Sequence, residues 1–216
     1  MSTPITHEPI EPMPILVLDG GAARELLARR REMGGDRYDE VWEGTYVMNP
    51  MASVEHQRLV MRLTVALDEV VRGNGLGEVF PGTNVTDNKA NWEHNYRCPD
   101  VVVVLAGGRA KSNGPAFVGG PDFLIEVRSP GDRSLEKLGF YAAIGVRELL
   151  VVDRDTKELE LYALRGSALQ SQGRSTPTAP ETLISSVLPL SFRHSAGTGA
   201  PGISVHRTDS PGEWTI

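Results

Sequence analysis

The sequence predicts an α/β domain built on a mixed β-sheet with helices packed against it. Three observations carry that expectation. The run Val101-Val102-Val103-Val104-Leu105 has no polar alternation, as in a strand covered on both faces. After Pro50, Leu59, Val60, Leu63, Ala66, Leu67, Val70 and Val71 recur at helical spacing. The order along the chain is helix, strands, helix, two strands, which suits helices laid on a sheet.

The elements follow in order. Residues 1–13 carry Pro4, Pro9 and Pro12 without periodicity and read as a mobile tail. A helix is expected from about Ala22 to Arg31, with Leu26 and Leu27 inward and Arg29, Arg30 and Arg31 outside. Gly34-Gly35-Asp36 breaks it. Tyr38 to Asn49 reads as two short strands turning at Glu43-Gly44. Ser53 can cap the helix that follows, and Gly73 can end it. Strands are expected at Gly77–Pro81 and around Thr83–Thr86, then a polar loop from Asn88 to Arg97. After the valine strand comes a loop from Gly107 to Gly120, then a buried strand from Asp122 to Ser129. Asp132 can cap a helix that runs to about Ile144 and stops at Gly145. Gly139 inside it costs about 1 kcal/mol against alanine, so a close backbone approach is expected there. Glu148–Asp153 and Lys157–Leu164 complete the strands as a hairpin. From Arg165 the chain is rich in Ser, Thr, Pro and Gly, with strand-like pieces near Leu183–Val187 and Ile203–His206.

Composition narrows the function. The 216 residues can bury a core without disulfides, and 40% hydrophobic residues exclude wholesale disorder. Cys98 is the only cysteine, which excludes an intrachain disulfide and a multi-cysteine zinc cage. It fits a reducing, cytoplasmic compartment. No apolar run approaches the length of a membrane span, so no membrane partner is expected, and residues 1–13 lack the form of a secretory signal. A formal net charge of -6 excludes a strongly basic nucleic-acid binder at whole-chain level, though not a local basic groove.

Chemistry concentrates in the strand Phe123-Leu124-Ile125-Glu126-Val127-Arg128. Alternation puts Phe123, Ile125 and Val127 on one face and Leu124, Glu126 and Arg128 on the other. A carboxylate within such a strand costs desolvation energy unless it is paired or binds a metal. The bland alternative is a Glu126–Arg128 ion pair. Asp100, after Pro99, opens the valine strand. It is either a turn aspartate or a partner to Glu126 at one end of the sheet. In the second case the two hard oxygen ligands suit Mg2+, with Mn2+ as an alternative. Such an ion activates water and stabilises charge on phosphate. Lys137 and Tyr141 share a helix face, with Ser134 three residues before the lysine. The bland reading of Lys137 is a solvated surface group. The glycine pairs form no phosphate loop joined to a helix, and no Gly-x-Ser-x-Gly elbow is present.

An acidic residue after proline, then a glutamate on a strand, resembles the PD-(D/E)XK nuclease superfamily. More narrowly, Tyr38 to Leu164 resembles the restriction-endonuclease-like family called Uma-two. The matching pieces are Trp42-Glu43-Gly44, Met48-Asn49-Pro50 and Glu55-His56-Gln57. Arg97-Cys98-Pro99-Asp100-Val101 and Glu126-Val127-Arg128-Ser129-Pro130 follow. Lys137 with Tyr141, Gly145-Val146 and Val151-Val152-Asp153 complete the set.

The resemblance implies a restriction-endonuclease-like mixed β-sheet flanked by helices over residues 38–164. The N-terminal tail and helix (1–37) and a β-rich extension (165–216) lie outside it. It implies a metal held by Asp100 and Glu126, with the Val127 carbonyl as third ligand. Glu55 or Glu43 would complete the shell, directly or through water. The superfamily's lysine two residues after the glutamate is replaced by Arg128, which stays protonated and makes a poor base. That makes Lys137 the lysine that positions water or offsets charge, and leaves Arg128 to contact phosphate or Glu126. His56 stands where the family has a histidine; a helix-start hydrogen bond is its bland reading. The implied activity is a Mg2+-dependent endonuclease acting on DNA, double-stranded foremost, with a homodimer as a further admitted arrangement. The competing class is a non-cleaving nucleic-acid or protein binding module on the same fold.

Overall fold

The computed structural model describes residues 13–196 and 200–216. Its centre is a six-stranded sheet in the order Ala168–Ser175, Leu159–Arg165, Glu148–Asp153, Phe123–Arg128, Val101–Leu105, Gly77–Pro81. Phe123–Arg128 and Glu148–Asp153 run parallel, and the other neighbours run antiparallel. A parallel pair needs a crossover, and the helix Leu138–Ile144 (α3 below) supplies it.

Both faces of this sheet are covered, as the valine run requires. The first two helices are α1 (Gly20–Glu32) and α2 (Val54–Val71). The periodic face of α2 packs on Val101, Val103, Phe123, Ile125 and Val127. Val102, Leu124 and Val151 point the other way, onto Phe140 and Tyr141 of α3. Ser53 caps α2 by accepting from the His56 N–H at 3.2 Å. The C-terminal strands Leu183–Ile184, Leu190–Ala196, Pro201–Arg207 and Glu213–Thr215 form a separate sheet. Leu190, Phe192, Ile203 and Val205 from it enter the same core as α2, and Phe192 stacks on Phe123 at 5.8 Å.

A third sheet of seven short strands includes Glu40–Trp42 and Thr45–Met48. Glu43 and Gly44 join these two with φ of 46° and 83°, the paired positive values of a tight hairpin turn.

Several expectations need correction. The 1–13 tail lies outside the described residues except for Met13. Arg30 is not simply outside: its guanidinium is held by the buried Asp39 at 2.6 Å. The helix expected from Asp132 is a 3-10 turn, Ser134–Lys137, followed by α3. Asp132 accepts from the Ser129 and Ser134 N–H groups, so its side chain organises the turn. Gly139 makes no close approach, since a Cβ there would have nothing within 4 Å. Close approaches occur at other glycines, Gly120 among them, where a Cβ would meet the Gly145 carbonyl carbon at 2.2 Å. The loops expected at 88–97 and 107–120 hold the short strands Tyr96–Arg97, Lys111–Ser112 and Ala116–Val118. Ile15–Val17, Ala168–Ser175 and Leu190–Ala196 are strands without a counterpart in the sequence reading. Ala168–Ser175 is a polar edge strand, and its pairing to Leu159–Arg165, not its own hydrophobicity, holds it.

Candidate active site

The valine strand and Phe123–Arg128 are antiparallel, with Val101 opposite Ile125. Asp100, one residue before Val101, therefore falls beside Glu126, one residue after Ile125. The ladder ends at this point. Asp100 Oδ2 accepts from the Val127 N–H at 2.7 Å. In a strand a residue's N–H and C=O point to the same side, so the Val127 carbonyl is also directed past the ladder towards Asp100. Asp100 Oδ1 lies 2.9 Å from His56 Nε2, which the capped start of α2 delivers.

Glu126 is 3% exposed. Lys137 Nζ donates to its two oxygens at 3.1 and 3.2 Å, and the Tyr141 hydroxyl donates to Oε1. Ser134 Oγ stands 3.5 Å from Oε2. The four-residue spacing of Lys137 and Tyr141 thus brings both to one carboxylate. Lys137 Nζ also pairs with Glu40 Oε1 at 2.8 Å. Glu40 is fully buried and further accepts from Trp42 Nε1 at 2.6 Å and the Cys98 N–H at 2.9 Å.

Three carboxylates therefore crowd one ammonium. Glu126 is raised to about 8: burial is the largest cause, Lys137 pulls it down, and Asp100 and Glu40 push it up. Burial alone would lower Lys137, but Glu126, Glu40 and Asp100 outweigh it and raise it above its ordinary value. The carboxylates thus reverse the direction that burial alone would give, which favours the ammonium form of Lys137. Burial also depresses His56, yet the bond and charge of Asp100 leave it raised overall.

The remaining sequence candidates lie apart. Glu55 is bonded to Arg58 at 2.6 Å and Lys157 at 3.0 Å, not to the carboxylate cluster. Glu43 stands in the exposed hairpin turn and pairs with Arg97 at 3.2 Å. Arg97 is itself buried between the rings of Trp42 and Phe140. The alternative Glu126–Arg128 ion pair does not form. Among the described residues, Arg128 has no side-chain hydrogen bond or ion pair. Glu40 went unread in the sequence. Its signal was the one that marked Glu126, a carboxylate inside a short strand beside Val41 and Trp42.

A cavity of about 830 Å³ opens over the cluster. Asp100, Glu126, His56 and Lys137 line one part, and Met51, Met61, Val65 and Pro81 line another. Its charges are mixed, with Arg37, Arg133 and Arg154 among Glu55, Asp132 and Asp155. Of Arg97, Arg128, Arg133 and Lys137, the basic residues near the cluster in sequence, Arg133 and Lys137 reach the lining and the other two do not.

Residues 24–197 match the model of the Uma2 family, described as "Putative restriction endonuclease". Among solved structures, the chain is similar to "a putative nuclease belonging to DUF820 from Anabaena variabilis ATCC 29413". That likeness has a TM-score of 0.55 and 16% identity, and it covers 68% of this chain and 80% of that chain. It extends to the fold. A search of curated proteins finds no match.

Proposed function

The chain belongs to the Uma2 family of restriction-endonuclease-like proteins, and from that premise we propose that it is a Mg2+-dependent endonuclease hydrolysing DNA phosphodiesters. The observation that carries the reading is the placement of Asp100 beside Glu126 at the end of adjacent antiparallel strands, with the Lys137 ammonium on Glu126.

The donor chemistry fits a divalent ion. Asp100, Glu126 and the Val127 carbonyl are hard oxygens. Burial is the main cause of the raised Glu126 pKa, with the charges of Asp100 and Glu40 adding to it. Among the described residues no compact group of three or more His, Cys, Asp or Glu side chains is arranged for a metal. A bound ion would thus draw on two carboxylates, the carbonyl and water. When bound, it supplies a Lewis acid for phosphate oxygen and a lowered pKa for water.

The chain's own groups do the positioning. His56 and the Val127 N–H fix the two oxygens of Asp100. Tyr141 and Lys137 fix Glu126. As a permanent ammonium, Lys137 orients the attacking water and offsets charge on the scissile phosphate instead of removing a proton. Arg128, whose side chain makes no hydrogen bond or ion pair among the described residues, is assigned to DNA phosphate. The buried free thiol of Cys98 agrees with a reducing cytoplasm.

The test is cleavage of supercoiled, linear and single-stranded DNA with Mg2+, Mn2+ or chelator, beside Asp100→Asn. Metal-dependent nicking lost in the variant supports the reading. Saturable metal and DNA binding without cleavage would favour the binding module.

A further inference from the structure

We infer that Glu40 is a positioning residue that sets the Lys137 ammonium against Glu126, an inference that rests on the nuclease reading above. Glu40 and Lys137 come from different parts of the fold. Glu40 lies on a strand of the seven-stranded sheet, and Lys137 ends the turn after Phe123–Arg128. They meet at 2.8 Å in the interior.

A carboxylate with no solvent exposure persists only where donors replace its water. Glu40 has donors from three segments. Trp42 Nε1 occupies Oε2, and the Cys98 N–H and Lys137 share Oε1. The Trp42 ring is itself held, with the Arg97 guanidinium at 4.7 Å and that of Arg133 at 5.1 Å from its centroid. Glu40 is therefore a rigid anchor, while lysine is a flexible four-carbon chain ending in a point charge. With Glu40 on one side and Glu126 on the other, the ammonium has one resting place. Its three N–H donors meet three carboxylate oxygens, two on Glu126 and one on Glu40.

The discriminating variants are Glu40→Gln, nearly isosteric but uncharged, Glu40→Asp, and Lys137→Met. In metal-free parent protein, the ¹H–¹⁵N resonance of the Lys137 ammonium is expected as a slowly exchanging signal, assigned by its loss in Lys137→Met. Glu40→Gln should broaden or erase it while the amide spectrum persists. Magnesium affinity by calorimetry should stay near the parent's in Glu40→Gln. Single-turnover cleavage should fall about 100-fold, the scale of a misplaced catalytic group. Glu40→Asp should recover part of that loss, and Glu40→Gln should add nothing in the Lys137→Met background.

An unchanged ammonium signal in Glu40→Gln overturns the proposal. So does a fall in metal affinity matching Asp100→Asn, which would make Glu40 a ligand, or an additive loss with Lys137→Met. If Glu40→Gln does not fold, Trp42→Phe removes the indole N–H from Glu40 and is read by the same resonance. There, broadening supports the anchor and an unchanged signal refutes it. If the parent does not cleave DNA but its ammonium signal responds as stated, the nuclease reading fails and the Glu40–Lys137 link stands.

Discussion

Asp100 accepts a hydrogen bond from the Val127 N–H at 2.7 Å, which ties the carboxylate at the head of one strand to the residue after Glu126 on the next. The bond holds the two candidate ligand strands in register just where their ladder ends. Asp100→Asn keeps the shape and an acceptor for that N–H but loses the charge. It should leave the fold intact, abolish tight Mg2+ binding and lower cleavage by at least about 1000-fold, a loss on the scale of removing an activated nucleophile. Calorimetry with Mg2+ beside supercoil nicking reads both effects. Parent-like metal affinity in Asp100→Asn would rule this centre out.

Lys137 holds a buried charge between two carboxylates. Lys137→Ala should abolish cleavage and leave metal binding nearly intact, because Asp100 and the Val127 carbonyl are untouched. It should also cost about 3–5 kcal/mol of stability, since Glu40 and Glu126 would lose their shared counter-ion. Urea unfolding at neutral pH measures that cost, and added Mg2+ should recover part of it. A variant that cleaves like the parent contradicts the role given to Lys137.

Arg128 is on the same face as Glu126 but does not touch it. Arg128→Ala should leave metal affinity and stability close to parental values and weaken DNA binding. The slope of log affinity against log salt should shrink by about one unit, as for the loss of one phosphate contact. Arg128→Lys should keep part of the activity. Loss of metal affinity in Arg128→Ala would restore the sequence alternative in which Arg128 holds Glu126.

His56 has its pKa raised by Asp100 against the opposing effect of burial. A histidine that binds its proton more tightly when folded stabilises the fold below its unfolded pKa, near 6.5. That contribution fades as pH rises through the raised folded value. In chelator, the stability gap between parent and His56→Gln should be widest on the acid side of 6.5 and narrow with increasing pH. A gap independent of pH would mean the pair is not charged.

The sheet and its main helices were legible because their signals are local. Four valines in a row need cover on both faces, and the structure puts α2 on one and α3 on the other. The edge strand Ala168–Ser175 was not legible, because its polar sequence carries no period and its pairing partner decides its state. The turn at Ser134–Lys137 has the sequence spacing of a helix, because spacing alone does not distinguish a 3-10 turn from the first turn of an α-helix.

At the site, the strand pattern marks Asp100 and Glu126 as carboxylates at apolar strands, where a lone charge is costly. The sequence also puts Lys137 and Tyr141 four residues apart. How these charges are shared depends on the packing of distant segments. Glu40, 60 residues before Asp100 in the chain, reaches Lys137 because a second sheet folds against the first. Its carboxylate joins Glu126 and Asp100 in raising the lysine's pKa against burial. Desolvation is a property of each residue's place on its strand, so composition and alternation reveal it. Compensation of a buried charge depends on which distant groups come within about 3 Å, and nothing local in the chain encodes that distance.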